Sequence, residues 1–168
     1  TEIQDLLVKN RDRYGVNQVI DRVKSVPFDS AKGFRFAVFS DPQNHTDILE
    51  AVCRNITDNK PVFAIVTGDL VEDIEPDEYD KYLFNILDKY AHFNILPVIG
   101  NHDVGLDRMA VAHRAAFGDN ALNYFFDYGK ARFIIVDNVS RAIPFEEQLA
   151  EVDRWLSETP VGFYKFVF

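Results

Sequence analysis

Polar residues that can bind a metal ion or transfer a proton follow three apolar segments of the sequence. Asp41 follows the first segment, Asp69 follows the second, and the third leads into Asn101, His102 and Asp103. Carboxylate and amide oxygens suit Mg²⁺ or Mn²⁺, whereas an imidazole binds Zn²⁺, Fe or Mn²⁺ or transfers a proton. Carboxylates that converge repel each other unless they share a cation or a proton. The pattern therefore predicts a metal site if the three segments end side by side.

The elements that would position these residues alternate between strands and helices. Segments 34–40, 61–67 and 95–99 have the length and apolar content of buried strands. Apolar residues at helical spacing lie between them, in 48–56 and 79–90. This alternation predicts parallel strands joined by crossover helices, and ligands bind beyond the carboxyl ends of such strands.

The rest of the sequence predicts a mixed sheet. Apolar spacing from Leu106 and Met109 to Phe117 predicts a helix over 106–117, with His113 in or near the core. Three further elements are predicted: a hairpin of 124–127 and 132–137, a helix over 144–157 with a stripe of Phe145, Leu149, Val152 and Leu156, and a strand over 163–168. The fold class is therefore α/β, with both parallel and antiparallel strand pairs.

The first 32 residues predict a helical extension that docks onto a domain formed by residues 33–168. Its apolar stripes are Ile3, Leu6, Leu7 and then Val16, Val19, Ile20, Val23. A length of 168 residues suits one domain with one sizeable core. The acidic residues between positions 72 and 80 are interpreted as the solvated start of a helix.

Composition excludes some classes of partner. The chain has 27 acidic and 18 basic residues, a net charge of −9, and no basic strip, so we expect no binding to nucleic acid. Every apolar run is far shorter than the ~20 residues that span a bilayer, so we expect no membrane span. The single Cys53 cannot form an internal disulfide, and the sequence leaves the compartment open.

The motifs at the three predicted strand ends resemble those of the calcineurin-like metallophosphoesterases. That family carries Asp-x-His, Gly-Asp, Gly-Asn-His-Asp/Glu, an isolated His and Gly-His-x-His. The matching residues are Asp41, Gly68-Asp69 and Gly100-Asn101-His102-Asp103. The resemblance covers about residues 34–168, and it implies an αββα sandwich of mixed sheets flanked by helices.

The resemblance also implies a role for each residue. Asp41 would bind a first divalent metal, Asp69 would bridge two, and Asn101 would bind the second. His102 would be the general acid, and Asp103 would orient it. The two ions, which are Mn, Fe, Zn or Mg, would activate a hydroxide that hydrolyses a phosphate ester in a phosphorylated substrate.

Position 43 departs from the family pattern. Gln43 stands where the family has His, and its carbonyl is a weaker ligand than imidazole toward transition metals. His45 is a possible substitute, but it would need a different turn, so we favour Gln43 as the ligand. An aspartyl-phosphate phosphatase would need an acid at position 43, and the glutamine excludes that class.

The two histidine blocks that end the family pattern are absent, because no His follows His113. We therefore expect an N-terminal fragment of a longer enzyme, truncated at its C-terminal side, that is inactive and binds metal poorly alone. Exposed edge strands would favour its self-association. The alternative is a non-catalytic scaffold, or a module that binds a phosphorylated ligand with the same fold.

Overall fold

A parallel sheet forms the first half of the computed structural model, which describes residues 8–106 and 108–168. Its strands are β1 (Phe36–Phe39), β2 (Phe63–Thr67) and β3 (Asn94–Val98). They lie in the order β1-β2-β3, and both pairs are parallel. The predicted parallel strands are confirmed, and their carboxyl ends share one edge of the sheet.

A second sheet contains both kinds of strand pair. Its strands are β4 (Tyr124–Tyr128), β5 (Ala131–Ile135) and β6 (Tyr164–Val167). The β4–β5 pair is antiparallel and the β5–β6 pair is parallel. Phe63 of β2 and Phe133 of β5 are both fully buried, with ring centroids 5.0 Å apart. The two sheets therefore pack face to face, which confirms the mixed α/β architecture.

Helices connect and cover the two sheets. Their bounds are α1 (Arg11–Tyr14), α2 (Val16–Ser25), α3 (Thr46–Asp58), α4 (Pro76–Glu78), α5 (Asn85–Tyr90), α6 (Val111–Phe117) and α7 (Phe145–Ser157). Between α4 and α5, the six residues Tyr79–Phe84 form a π-helical turn. Such turns are rare in proteins and occur frequently at functional sites.

The N-terminal helices belong to the same core as the sheets. Val16, Val19 and Val23 of α2 are fully buried in it, as predicted from their spacing. The ring of Tyr14 stacks on Phe84 with centroids 4.7 Å apart. The predicted stripe of residues 3, 6 and 7 lies outside the described residues. In the described ranges, no helix is long and apolar enough to cross a membrane.

The predicted helix over 106–117 is wrong in its first turn. Helix α6 begins at Val111, and Leu106 is fully exposed. Arg108 and Ala110 have φ values of 58° and 55°, in the left-handed region, so a right-handed helix cannot pass through them. His113 is buried in α6, as predicted.

The predicted apolar stripe of α7 does not mark its buried face. Phe145 and Leu149 are 62% and 49% exposed, whereas Gln148 and Trp155 are buried. The Trp155 ring lies 5.3 Å from that of Phe125, and Gln148 Nε2 donates a hydrogen bond of 3.0 Å to the carbonyl of Ile143. The large indole and this side-chain hydrogen bond decide the orientation of the helix.

Candidate active site

The loops that follow β1 and β2 are joined through their backbones. The backbone N–H groups of Asp41 and Gln43 donate to the carbonyls of Gly68 and Asp69, each over 3.2 Å. Asp41, Gln43 and Asp69 have φ values of 52°, 40° and 50°. Left-handed backbone costs roughly 1 kcal/mol or more in a residue with a Cβ, and such strain concentrates at functional sites. The structure thus brings these three predicted ligands to one edge.

The loop after β3 joins the same edge through Asp69. The backbone N–H of His102 donates to Asp69 Oδ1 over 3.0 Å. A Cβ at Gly100 would lie 2.1 Å from the Asp69 backbone nitrogen and 2.2 Å from Asp69 Oδ1. Only glycine fits there, so the close approach of the loops depends on Gly100.

Asp103 fixes the backbones of two of these loops. Its buried carboxylate accepts hydrogen bonds from the N–H groups of Leu70, over 3.0 Å, and Gly100, over 2.8 Å. Burial raises the pKa of Asp103 to about 7, the two backbone hydrogen bonds oppose the rise, and the charge of Asp69 adds to it. Asp103 thus holds the loop that carries His102, and the imidazole has a different partner.

The partner of the imidazole is a backbone carbonyl. His102 Nδ1 lies 2.7 Å from the carbonyl oxygen of Glu72, so this nitrogen carries the hydrogen and Nε2 is left for another group. The hydrogen bond to Glu72 raises the pKa of His102, and the charge of Asp69 contributes in the same direction. The Glu72 side chain is exposed, as expected for a solvated segment. Sequence reasoning missed its carbonyl because a backbone acceptor has no residue-type signal.

The residues at this edge offer oxygen ligands. Asp41 and Asn101 are exposed, and Gln43 and Asp69 are partly buried. The Ser40 hydroxyl donates to the Asp41 carboxylate, and His45 is exposed before α3. Carboxylate and amide carbonyl oxygens are the donor types that a hard divalent cation prefers. Over residues 8–106 and 108–168, no group of three or more His, Cys, Asp or Glu could hold a metal, so these residues do not complete a two-metal centre.

Two solved structures are similar to this chain. A purple acid phosphatase from yellow lupin (Lupinus luteus) seeds aligns with a TM-score of 0.57 and 16% identity, over 74% of this chain and 28% of that one. A conserved uncharacterized protein from Streptococcus pneumoniae TIGR4, described as a predicted phosphoesterase, aligns with a TM-score of 0.39 and 16% identity, over 73% and 55%. The chain thus spans 28% and 55% of their lengths. No curated protein matches it.

The sequence match to a family is broader than either structural likeness. The family described as calcineurin-like phosphoesterase matches residues 34–165, which contain β1 to β5, the first half of β6 and all three loops of the site. The lupin structure independently supports the fold, because it aligns over most of this chain. This chain therefore belongs to the calcineurin-like phosphoesterase family.

Proposed function

We propose that this chain carries the metal-binding edge of a phosphoric ester hydrolase that depends on divalent metals. The observation that carries the proposal is the convergence of Asp41, Asp69 and His102 at one sheet edge, joined by backbone hydrogen bonds. Family membership supports the reaction class. Hydrolysis assays with both kinds of ester distinguish a monoester from a diester substrate.

The ligands in this proposal are Asp41, Gln43, Asp69 and Asn101. Metallophosphoesterases generally bind two divalent metals, which supply a nucleophile at neutral pH and offset the charge of the phosphoryl group. The four residues are too few for two metals, so we propose that this chain alone binds Mn²⁺ weakly and hydrolyses no ester. We propose that other parts of the whole protein supply the remaining metal ligands.

His102 is proposed to donate a proton to the leaving oxygen of the ester. The Glu72 carbonyl holds Nδ1–H, which leaves Nε2 for the substrate. Asp69 fixes the backbone of His102 through the 3.0 Å hydrogen bond to its N–H. In this proposal, Asp69 contacts both the metal and His102, the residue that donates the proton.

The first test measures metal binding in the chain of 168 residues. Mn²⁺ should broaden the amide NMR signals of Asp41, Asp69 and Asn101 before those of the second sheet. Asp69→Asn should weaken binding at least about tenfold. Asp119→Asn removes an exposed carboxylate on another loop and should change nothing. Uniform broadening across the chain would contradict the assigned ligands, and tight stoichiometric binding would contradict the weak site.

The second test measures hydrolysis in the full-length protein with Mn²⁺. p-Nitrophenyl phosphate, bis(p-nitrophenyl) phosphate and phenyl phosphate separate monoesters from diesters and good leaving groups from poor ones. His102→Ala should lower kcat about 100-fold or more on phenyl phosphate, and less on the nitrophenyl esters, which need no proton. His92→Ala is the matched control, because His92 is exposed and lies before β3. Equal losses on all esters would refute the acid role.

A non-catalytic scaffold or a phospho-ligand-binding module is the second candidate. The observation that favours it is Gln43, which stands where the family has a histidine ligand. Metal analysis of the full-length protein separates the two functions. Two bound metals per chain together with ester hydrolysis would refute the scaffold, and metal-free protein that binds phosphorylated ligands without hydrolysis would support it.

A further inference from the structure

The loop after β1 and the loop after β2 both contribute to the site, and two backbone hydrogen bonds join them. Asp41 and Gln43 reach the second loop through hydrogen bonds of 3.2 Å each. Both loops are partly exposed and carry residues in left-handed backbone. Any further contact that links the two loops would therefore limit changes in their separation.

Glu78 supplies that contact with its two carboxylate oxygens. Oε1 accepts a hydrogen bond of 3.2 Å from Asn44 Nδ2, and Oε2 accepts one of 2.8 Å from the backbone N–H of Asp73. Hydrogen bonds to an ionised carboxylate are stronger than those between neutral groups. Asn44 Oδ1 is buried without a hydrogen-bond partner in the described part of the chain, so the amide is held through its nitrogen. One side chain thus links the residue after Gln43 to the residue after Glu72.

The support beneath Glu78 is rigid. Glu78 ends α4 and leads directly into the π-helical turn, in which Tyr79, Leu83 and Phe84 are buried in the core. Burial, together with the adjacent charge of Asp103, raises the pKa of Tyr79 well above its ordinary value, so its hydroxyl stays neutral. Because the neighbouring Tyr79 is buried in the core, Glu78 is held in position beside the two loops that it contacts.

The contact extends to the imidazole of His102. Glu78 binds the N–H of Asp73, and the carbonyl on the other side of the same peptide bond, that of Glu72, binds His102 Nδ1. The peptide group is planar, so fixing its N–H also fixes its carbonyl. We propose that Glu78 is a positioning residue that sets both the spacing of the ligand loops and the orientation of His102. The proposal rests on the proposed function for its catalytic consequence.

The test uses Glu78→Ala and Glu78→Gln in the isotope-labelled chain, with Asp77→Asn as the matched control. Asp77 is exposed on the same helix, so Asp77→Asn also removes one negative charge but leaves both hydrogen bonds of Glu78 in place. The Nδ1–H tautomer of His102 is read from its imidazole ¹⁵N shifts, and Mn²⁺ affinity from titration with the metal alone. Far-UV circular dichroism confirms that each variant is folded.

The expected result is a graded loss. Glu78→Ala should mix the two tautomers of His102 and weaken Mn²⁺ binding about tenfold, the lower range for residues that hold metal ligands by hydrogen bonds. Glu78→Gln keeps one acceptor oxygen, so its Mn²⁺ affinity and its His102 tautomer ratio should lie between those of the wild type and Glu78→Ala. Asp77→Asn should match the wild type within twofold. If Glu78→Ala unfolds, Glu78→Gln decides by the same two readouts.

Glu78 variants that match Asp77→Asn in both tautomer and Mn²⁺ affinity would overturn the proposal. Neither readout requires hydrolysis, so the result is independent of the ester assay. A full-length protein without phosphoesterase activity would refute the proposed function and leave the positioning role intact. An active protein in which the Glu78 variants leave the tautomer of His102 unchanged would refute the positioning role and leave the proposed function intact.

Discussion

The two sheets have similar apolar strands but treat their polar residues in opposite ways. In the second sheet, Asp127 and Arg132 lie directly opposite each other on β4 and β5 and pair through two hydrogen bonds of 2.8 Å. Arg132 also donates to the carbonyl of Trp155 over 2.7 Å. At the edge of the first sheet, Asp41 and Asn101 are exposed. Buried, paired polar groups stabilise a fold, whereas an exposed carboxylate such as that of Asp41 is accessible to a ligand even though the Ser40 hydroxyl also donates to it.

The loop after β5 follows the pattern of the second sheet. The buried carboxylate of Asp137 accepts from the N–H groups of Val139, over 2.9 Å, and Ser140, over 2.8 Å, and from the Ser140 hydroxyl. The carboxylate at this strand end is therefore already hydrogen-bonded to neighbouring residues of the same loop. A carboxylate after a strand is therefore not enough to predict a site, and the left-handed backbone of Asp41 and Asp69 marks the difference.

The largest effect should come from breaking the polar pairing of the second sheet. Arg132→Ala should lower the free energy of unfolding by about 3 kcal/mol, because the Asp127 charge and the Trp155 carbonyl lose their partner. Urea unfolding measures the change. Arg54→Ala removes an exposed pair with Glu50 and should cost below about 0.5 kcal/mol. Equal costs would erase the contrast between buried and open polar groups.

His113, buried in α6, should lower the free energy of unfolding in acid. Burial lowers the pKa of this histidine to about 4, against an ordinary 6.5, and Asp137 is the charge that opposes the shift. Because the pKa of His113 is lower in the folded state than in the unfolded state, this residue does not reduce the free energy of unfolding above pH 6.5. It reduces that free energy increasingly as pH drops toward 4. The slope that His113 contributes approaches about 1.4 kcal/mol per pH unit, and Asp103, whose folded pKa is raised to about 7, contributes a slope of opposite sign over the same range. Unfolding should be measured from pH 7.5 to 4.5. The free energy of unfolding of His113→Leu should rise relative to that of the wild type as pH falls, and that of His92→Gln should follow the wild type.

A methyl group should be tolerated differently at two glycines. Gly100→Ala should cost about 2 kcal/mol and abolish Mn²⁺ binding, because its Cβ would press on the backbone of Asp69. Gly162 precedes β6 with a φ of 87° and nothing within 4 Å of a Cβ, so Gly162→Ala should cost about 1 kcal/mol and leave metal binding unchanged. Thermal unfolding with a Mn²⁺ titration checks both. A tolerant Gly100 would show that the loops do not need their close approach.

The smallest effect should be a gain. Asp41→Gly relieves left-handed backbone, worth roughly 1 to 2 kcal/mol, and adds the roughly 0.5 to 1 kcal/mol entropy cost of glycine. The net gain in unfolding free energy should be about 0.5 kcal/mol, with loss of Mn²⁺ binding. Chemical denaturation without metal tests this. A loss of stability would mean that Asp41 serves the fold rather than a ligand.

The sequence predicted what side-chain identity and spacing encode. The apolar segments that became β1, β2 and β3 have no competing pattern, and the residues after them carry distinctive side chains. The carbonyl of Glu72 could not be predicted, because every residue has one and tertiary packing selects among them. The start of α6 depends on left-handed Ala110, a conformation that alanine does not signal. The buried face of α7 depends on one indole, Trp155, against four smaller apolar residues.

The π-helical turn Tyr79–Phe84 makes the site depend on the winding of a helix as well as on its residue types. A π-helical turn corresponds to one extra residue in an α-helix. Winding the same six residues as a regular α-helix would rotate α4 by about 100° relative to α5. Glu78 would then turn away from Asn44 and Asp73 although every residue at the strand ends is unchanged. A change of helical winding within this segment would therefore act as a mutation of the site.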